Sequence, residues 1–238
     1  MQGNDQQAYD RGITIFSPDG RLYQVEYARE AVKRGTPSVG VRTADGVVLA
    51  AVTPQRSPLL ETESIEKIHK IDDHLAIASA GHAADARQLV DFARRVAQGE
   101  RLRYGESADT ENLTKTITDE IQEYTQTGGA RPFGAALLVA GVDEEGPRLM
   151  ETDPSGTPYE WQAAVVGGND ETIRGYFEDA YEPEMSIDAG IDLALEGLAE
   201  GLDGIEAQEV DLLTITEDGQ NELDTEAIAD RLADIDVE

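Results

Sequence analysis

The sequence contains no cysteine, few aromatic residues and few basic ones. Of its 238 residues, 5% are aromatic, and 19 Lys and Arg stand against 49 Asp and Glu. The lack of cysteine excludes a disulfide scaffold, a Cys-ligated zinc site and a cysteine nucleophile. The formal net charge of −30 argues against nucleic acid, because Lys and Arg side chains are what displace counterions from phosphates. We therefore expect no nucleic-acid partner.

Long hydrophobic runs are also missing. The longest, Ala135 to Val142, falls far short of the roughly 20 residues that cross a bilayer as a helix. The opening MQGNDQQAYD is polar and does not have the charged-then-apolar order of a signal segment. We expect a cytoplasmic protein with no membrane partner.

The negative charge is concentrated in the second half of the chain. Residues 1–119 hold 18 acidic and 15 basic side chains, whereas residues 120–238 hold 31 and 4. High net charge can indicate disorder, but 39% hydrophobic residues in periodic segments contradict that interpretation. Because the Debye length is about 3 Å at ~1 M salt, an acidic surface is tolerated there. We hypothesise a folded protein adapted to a halophilic cytoplasm.

Hydrophobic periodicity predicts alternating groups of strands and helices. Helices are predicted at Arg21–Arg34, with Gly35 at the C′ position that ends it, and at Ala83–Gly99, Thr110–Gln126, Asp170–Tyr181, Ser186–Leu202 and Thr225–Asp234. Strands are predicted at Ile13–Phe16, before the Ser-Pro-Asp-Gly turn, and at Ser38–Thr43, Val47–Val52, Ile68–Ile71, Leu75–Ser79, Ala135–Val142, Arg148–Thr152, Tyr159–Val166 and Val210–Thr216. This order indicates an α+β protein of one domain, in which two antiparallel sheets lie between helix layers.

Two short patterns could carry chemistry, and neither is specific. Ser64 and Lys67 have the S-x-x-K spacing of a serine nucleophile and a lysine base, but their segment leads into a strand. Glu66 and His69 resemble half of a di-iron motif, which requires a helix and a second copy. Packing or surface positions account better for the histidines than a metal site does.

A pair of glycines forms a third pattern, which is no more specific for a function than the first two. Gly167-Gly168-Asn169, between a predicted strand and a predicted helix, could bind an anion, but a tight turn is favoured because no basic residue accompanies it. Before any resemblance to a known family is considered, these residues indicate an acidic α+β protein with no obvious active site.

Longer strings carry a specific resemblance. YDRGITIFSPDGRLYQVEYAREAVKRG, Tyr9 to Gly35, resembles the amino-terminal signature of α-type subunits of the archaeal 20S proteasome, and the acidity favours a haloarchaeal member. Similar strings are SIEKIHKIDD, ADARQLVDFAR, ENLTKTITDEIQEYTQTGGARPFGAALLVAGVD and GPRLMETDPSGT, so that the resemblance extends to about Leu213. It implies the N-terminal-nucleophile hydrolase fold, a four-layer αββα sandwich.

The resemblance implies a subunit without catalytic residues, cofactor or metal. In this family seven α subunits form each outer ring, and the β subunits of the inner rings hold the threonine nucleophile. Thr36 is the counterpart of that threonine, but it lies inside the chain and has no free α-amine to act as its base. Val52 stands where the catalytic acid is expected. The alternative is an autonomous N-terminal-nucleophile or serine hydrolase.

The resemblance also implies which residues gate the entrance. Tyr9, Asp10, Pro18 and Tyr27 match the cluster that holds the gate open, and residues 1–8 suit a mobile plug. By this reading the single domain comprises a gate segment at 1–20, a helix at 21–34 and the sandwich at 36–238.

A docking pocket and a channel loop complete the implied site. Lys67 matches the lysine that receives the carboxyl terminus of a regulatory ATPase, with Gly35 in the same pocket. His82 is assigned to the same pocket, at a position where the family more often has an apolar residue. Thr127, Gly128, Gly129 and Ala130 match the loop that narrows the channel for unfolded substrates.

Overall fold

A computed structural model describes residues 16–53, 57, 59–60 and 64–235 of the chain. The helices within these ranges are α1 (Tyr23–Lys33), α2 (Ala83–Tyr104), α3 (Thr110–Gln126), α4 (Asp170–Ala180), α5 (Ile187–Leu202) and α6 (Thr225–Ile235). The strands are β1 (Ser38–Arg42), β2 (Gly46–Val52), β3 (Ile68–Asp72), β4 (Leu75–Gly81), β5 (Ala135–Asp143), β6 (Gly146–Thr152), β7 (Pro158–Glu160), β8 (Ala163–Val166), β9 (Val210–Thr216) and β10 (Gly219–Leu223).

The strands form two five-stranded sheets whose recorded pairings are all antiparallel. One sheet has the order β10-β9-β2-β1-β8, and the other has the order β3-β4-β5-β6-β7. Helices α2 and α3 pack on the second sheet, while α4 and α5 pack on the first. The predicted α+β sandwich of two sheets between helix layers is confirmed.

Strand β2 explains why the central strands are apolar throughout. Val47 and Leu49 face the cluster between the two sheets, whereas Val48, Ala50 and Val52 face the helices. Successive side chains point to opposite faces of a strand, and both faces of this sheet are covered. The continuous run Gly46–Val52 is accordingly buried at every position.

The helix predictions are correct in place, but α1 is three residues shorter than the predicted Arg21–Arg34, and α2 is five residues longer than the predicted Ala83–Gly99. Helix α3 starts at Thr110 as predicted, with the side chain of Asp109 accepting a hydrogen bond from the amide of Asn112 at 2.8 Å. Ser186 caps α5 in the same way. Helix α2 continues beyond Gly99 to Tyr104, where Gly105 adopts a φ of 74°. The prediction stopped early because this last turn is exposed and has no apolar stripe to reveal it.

One strand prediction was wrong, and one strand was not predicted. The predicted strand Tyr159–Val166 is two strands in different sheets, because β7 pairs with β6 while β8 pairs with β1. Strand β10 was missed. It is a partly exposed edge strand with a polar sequence, so it lacks the apolar alternation that marks a strand. The predicted strand at Ile13–Phe16 lies outside the described residues except for Phe16.

Gly35 is a glycine for a different reason from the one predicted. It follows α1 but does not adopt the left-handed conformation common at a C′ position. A Cβ atom at Gly35 would instead lie 2.5 Å from the amide nitrogen of Gly81. Close packing of two backbone segments therefore requires the glycine.

Among the described helices, none combines the length and the apolar character that crossing a bilayer requires.

Candidate functional site

Lys67 is the most constrained polar side chain at the predicted docking site. Its ammonium nitrogen lies 2.8 Å from the carbonyl oxygen of Thr36, 3.0 Å from the Thr36 hydroxyl, 3.0 Å from the carbonyl oxygen of Pro37 and 3.2 Å from that of Val52. An ammonium group has three N–H donors, so these four oxygens compete for them. The side chain is thereby aimed inward, across the start of β1 and the end of β2.

A cavity of about 150 Å³ surrounds this lysine. Its wall includes Gly35, Thr36, Lys67 and Gly81 together with the first turn of α2. Two of the three predicted pocket residues, Lys67 and Gly35, therefore lie in one cavity. The close approach of Gly35 to Gly81 joins the end of α1 to the end of β4 and fixes the shape of the wall.

The electrostatics of the cavity depend on Lys67 and on Asp211 of β9. Burial lowers the pKa of Lys67 to about 7, and the carboxylate of Asp211 opposes this shift. Burial raises the pKa of Asp211, and Lys67 in turn lowers it. Asp211 was not a sequence candidate. It becomes a neighbour of the lysine only through the pairing of β9 with β2, in which Asp211 lies opposite Ala51.

The arrangement around Thr36 differs from that of a hydrolase in two respects. Thr36 follows Gly35 in a continuous described segment, and the Gly35 carbonyl accepts the amide of Gly168 at 2.7 Å. Val52 supplies only its carbonyl oxygen to Lys67, because its side chain is buried in the core beside α5. The recorded hydrogen bonds of the Lys67 ammonium go to Thr36, Pro37 and Val52, and not to the Ser64 of the S-x-x-K spacing.

His82, the third predicted pocket residue, is not part of the cavity wall and forms a different contact. Its Nδ1 atom lies 3.3 Å from a carboxylate oxygen of Asp85, and 58% of the side chain is exposed. The cavity wall contains its neighbours Gly81 and Ala83 instead. Asp85 itself is buried, and it was not singled out in the sequence because its burial depends on a segment 46 residues later.

Two of the four gate residues lie in the described part of the chain. Pro18 is exposed within the Ser17–Gly20 turn, which the amide of Gly20 closes by donating to Ser17 at 2.8 Å. Tyr27 lies on α1, and 51% of it is exposed. Tyr9 and Asp10 lie outside the described residues, as does the plug at residues 1–8. The gate cluster stays a prediction.

The predicted channel loop, residues 127–130, connects α3 to the segment before β5. Both the amide and the hydroxyl of Thr127 donate to the carbonyl of Glu123, at 3.0 and 2.9 Å. Gly129 adopts a φ of 88°, a conformation that favours glycine. A Cβ atom at Gly128 or Gly129 would meet nothing within 4 Å in the described chain.

The remaining sequence patterns have structural roles here. Gly167-Gly168-Asn169 is a tight turn, with a φ of 113° at Gly167 and the Gly168 amide bonded to Gly35. Glu66 and His69 lie next to and on β3 instead of on a helix. His74 is bonded to the carbonyl of Ala108 at 2.8 Å. Within the described residues, no group of three acidic or histidine side chains is placed to hold a metal ion.

A larger cavity, of about 340 Å³, lies beside α1 and α4 and was not foreseen. Glu151, Trp161 and Arg174 are part of its wall. Burial raises the pKa of Glu151 to about 7, and Arg174 opposes the shift. A lone Glu on a predicted strand gave no sign of this environment.

Comparison with known proteins identifies the family. The model of the proteasome subunit family matches residues 32–215, and a second model, which describes the N-terminal signature of A-type proteasome subunits, matches residues 9–31. The chain is 63% identical to proteasome subunit alpha 2 of Haloarcula marismortui over all of its own length and 98% of that protein. It is 60% identical to proteasome subunit alpha of Haloquadratum walsbyi, over all of this chain and 97% of that protein.

A further relative extends over less of the chain. Proteasome subunit alpha 1 of Haloarcula marismortui is 68% identical over 84% of this chain and 77% of that protein. The match of both family models and the extent of these identities lead to one conclusion. The chain belongs to the proteasome subunit family, and its amino-terminal signature is of the α type.

Proposed function

We propose that this chain is a non-catalytic α-type subunit of a 20S proteasome core particle. In this proposal it forms a heptameric outer ring on rings of β subunits, gates the entry of unfolded protein substrates and docks a regulatory AAA ATPase. Its relatives carry the name proteasome subunit alpha. The docking role is supported chiefly by one observation, the inward-pointing ammonium of Lys67 in a cavity of about 150 Å³.

The chemistry of the cavity suits a carboxyl terminus. A carboxylate accepts hydrogen bonds that an ammonium donates, and such charged hydrogen bonds are worth about 1.5–3 kcal/mol. Lys67 already shares its three protons among four oxygens, so an incoming carboxylate would compete with these oxygens for the same protons. Repetition of the pocket around a ring allows modest affinities to combine.

The gate and the channel loop follow from the same proposal. Pro18 and Tyr27 are exposed. In this proposal they form a cluster with Tyr9 and Asp10, in which phenol and carboxylate groups hydrogen-bond to one another. The loop at residues 127–130 would line the entrance with small side chains. No cofactor is assigned to this subunit, because the ATP belongs to the docked partner.

Peptide-bond hydrolysis is assigned to the β subunits and not to this chain. A threonine nucleophile of this class uses its own α-amine as the base, and the nitrogen of Thr36 is bound in a peptide link to Gly35. The place of the catalytic acid is taken by Val52. We expect a preparation without β subunits to hydrolyse no peptide. Hydrolysis that disappears in Thr36→Ala would overturn this assignment.

One contact favours a second candidate, an autonomous N-terminal-nucleophile or serine hydrolase. The Thr36 hydroxyl lies 3.0 Å from the Lys67 ammonium, and burial gives that lysine a pKa of about 7, which suits a general base. Intact mass separates the two functions. A hydrolase of this class is processed to begin at an internal Thr or Ser, whereas the α subunit retains the residues before Thr36.

The docking role is tested in the assembled particle with its cognate ATPase. Lys67→Ala should remove most ATPase-stimulated proteolysis while leaving the hydrolysis of short peptides by the core particle intact. Lys70→Ala is the matched control, since Lys70 lies three residues further along, on β3, but pairs with Glu222 on the surface at 2.7 Å. Unchanged ATPase-stimulated proteolysis in Lys67→Ala would reject the docking role.

Ring formation is tested by native mass. The chain expressed alone should give a ring and not a monomer, and co-expression with the cognate β subunit should give the full particle. A stable monomer in both preparations would favour a stand-alone binding module.

A further inference from the structure

The segment that follows the channel loop is tied to the first turn of α2 by a buried carboxylate. Both guanidinium nitrogens of Arg131 donate to Asp85, at 2.5 and 2.7 Å. The amide of Gly134 donates to the same carboxylate at 2.8 Å. Burial raises the pKa of Asp85, but the hydrogen bonds from Arg131 and Gly134 outweigh it and hold the pKa below its usual range. Asp85 is thus a buried, charged and fully engaged acceptor.

The same turn of α2 forms part of the docking cavity. Gly81, Ala83 and Ala86 line the cavity that holds Lys67, while Asp85 faces Arg131. A backbone hydrogen bond from His82 to the carbonyl of Gly134, 2.8 Å long, reinforces the connection. The turn therefore has the cavity on one side and the end of the channel loop on the other.

Backbone packing leaves little freedom at this junction. A Cβ atom at Gly81 would lie 2.3 Å from the carbonyl oxygen of Gly134, and one at Gly35 would lie 2.5 Å from the amide nitrogen of Gly81. Closely packed segments transmit displacement instead of absorbing it. A shift of the cavity wall at Gly81 is consequently passed to Gly134 and to Arg131.

The loop itself has few other contacts in the described chain. Thr127 is bonded to the last turn of α3, and nothing lies within 4 Å of a Cβ built at Gly128 or Gly129. Its position is therefore set by its two ends, α3 on one side and Arg131 on the other.

We propose that Asp85 and Arg131 are positioning residues that couple the docking cavity to the channel loop, so that a carboxyl terminus bound at Lys67 displaces the loop at the entrance. This inference rests on the proposed function, because it takes the cavity as the docking site and the loop as the constriction. Neither residue belongs to the predicted gate, pocket or loop.

The use of charge in the acidic half of the chain agrees with this role. Residues 120–238 contain four basic side chains, Arg131, Arg148, Arg174 and Arg231. Of their recorded carboxylate partners, Asp85 is the least exposed, at 8% of its side chain. The Arg131 side chain is 61% exposed, but salt screens a pair with one buried partner less than a pair exposed on both sides. Concentrated salt therefore weakens this connection less than it weakens the fully exposed pairs.

The absence of cysteine from the chain provides a direct test. A nitroxide label is attached at position 128 through Gly128→Cys, a site where a side chain meets open space, in the assembled core particle. A short peptide with a free carboxyl terminus, copied from the end of the cognate ATPase, serves as the pocket ligand. Its binding is followed independently by its stimulation of short-peptide hydrolysis.

In the otherwise unchanged particle, the peptide should alter the mobility of the label. Arg131→Gln and Asp85→Asn should raise label mobility and abolish its response to the peptide, while the concentration of peptide that half-stimulates hydrolysis stays within about twofold. Arg131→Lys keeps the charge but not the two-pronged geometry, and it should restore the response in part. Arg231→Gln is the matched control, because Arg231 also uses two guanidinium nitrogens on carboxylates, in its case those of Asp188 and Asp192, but lies on α6.

The outcomes separate this inference from the function it rests on. If the peptide stimulates hydrolysis but leaves the label unchanged, or if Arg131→Gln and Asp85→Asn respond like Arg231→Gln, the coupling is rejected and the docking role stands. If the peptide fails to stimulate hydrolysis whether or not Lys67 is present, both are rejected. Thermal unfolding of each particle shows that the variants are folded.

Discussion

The ammonium nitrogen of Lys67 lies 3.0 Å from the hydroxyl oxygen of Thr36. Three backbone carbonyls complete its surroundings, and one of them belongs to Val52. In a hydrolase this geometry would place a base beside a nucleophile, whereas here the threonine has no free amine. The same contacts hold the lysine at the inner end of a cavity, where it can receive a carboxylate.

Docking at Lys67 should depend on pH. Burial gives this lysine a pKa of about 7, and only the protonated form donates to and attracts a carboxylate. Above pH 7 the protonated fraction falls, so the apparent affinity for a carboxyl-terminal peptide should fall by up to about tenfold per pH unit. We expect peptide-stimulated hydrolysis to need more peptide at pH 8.5 than at pH 6.5, after correction for the pH profile of the β subunits.

Lys67→Arg provides the control for this prediction. An arginine stays charged throughout this range, so any docking that remains in the variant should show no such pH dependence. An identical pH profile for the two proteins would place the titrating group elsewhere.

Gly35→Ala should destabilise the chain and impair docking together. Its Cβ would lie 2.5 Å from the Gly81 amide nitrogen, and relief requires the two backbone segments to separate. We expect a loss of about 1–3 kcal/mol in the free energy of unfolding, measured by denaturant titration. Gly99→Ala is the matched control. Gly99 lies in α2 with open space at its Cβ, so this variant should gain about 0.5–1 kcal/mol. Equal effects would contradict the packing argument.

Glu151 should make the stability of the chain fall as pH rises. Its pKa is about 7 when folded and about 4.3 when unfolded, so between these values the native state binds the proton and the unfolded state does not. The free energy of unfolding therefore decreases through this window, by at most about 1.4 kcal/mol per pH unit. The full penalty is present above pH 7 and absent below about pH 4.

Glu151→Gln should remove this contribution and stabilise the chain at pH 8 relative to the parent. Glu178→Gln, an exposed change on α4, is the control and should leave the pH profile unchanged. Unfolding followed by circular dichroism from pH 5 to pH 8 measures both. If the free energy of unfolding of Glu151→Gln falls with pH as steeply as that of the parent, Glu151 is not the group that titrates in this range.

Removal of salt should lower the unfolding temperature. The net charge is −30, and the Debye length increases from about 3 Å at 1 M salt to about 10 Å at 0.1 M, so repulsion among carboxylates grows. Thermal unfolding between 0.1 and 3 M KCl tests this prediction. Full stability at low salt would argue against halophilic adaptation. We also predict that the acids of residues 120–238 lie mainly on the outer wall of the particle, since like-charged interfaces oppose assembly.

Most helices and strands could be predicted from the sequence, because burial of one face of an element gives a regular spacing of apolar residues. Helix α3 shows its stripe of Leu113, Ile117 and Ile121, and β2 shows an unbroken apolar run between two covered faces. The prediction failed where an element has no regular spacing of apolar residues. Strand β10 is a polar edge, and β7 and β8 share one apolar-looking segment that changes sheets at Trp161 and Gln162.

At the candidate site, the resemblance of sequence segments to the family predicted Lys67 and Gly35 as pocket residues. The structure places both in one cavity. The strings did not reveal Asp211 or Asp85. Each acquires its partner from a distant segment, through strand pairing for Asp211 and through the approach of Arg131 for Asp85. A pattern of local spacing carries no information on such contacts.

By itself the sequence determined the fold class, the family and the acidic character of this protein, because periodicity, contiguous matching strings and composition are all properties of neighbouring residues. Only the tertiary structure decided that Lys67 faces four oxygens, that Gly35 is required by close packing and not by a left-handed turn, and that Arg131 reaches Asp85. These are contacts between segments 15 to 46 residues apart, and they exist only after the sheets and helices have packed.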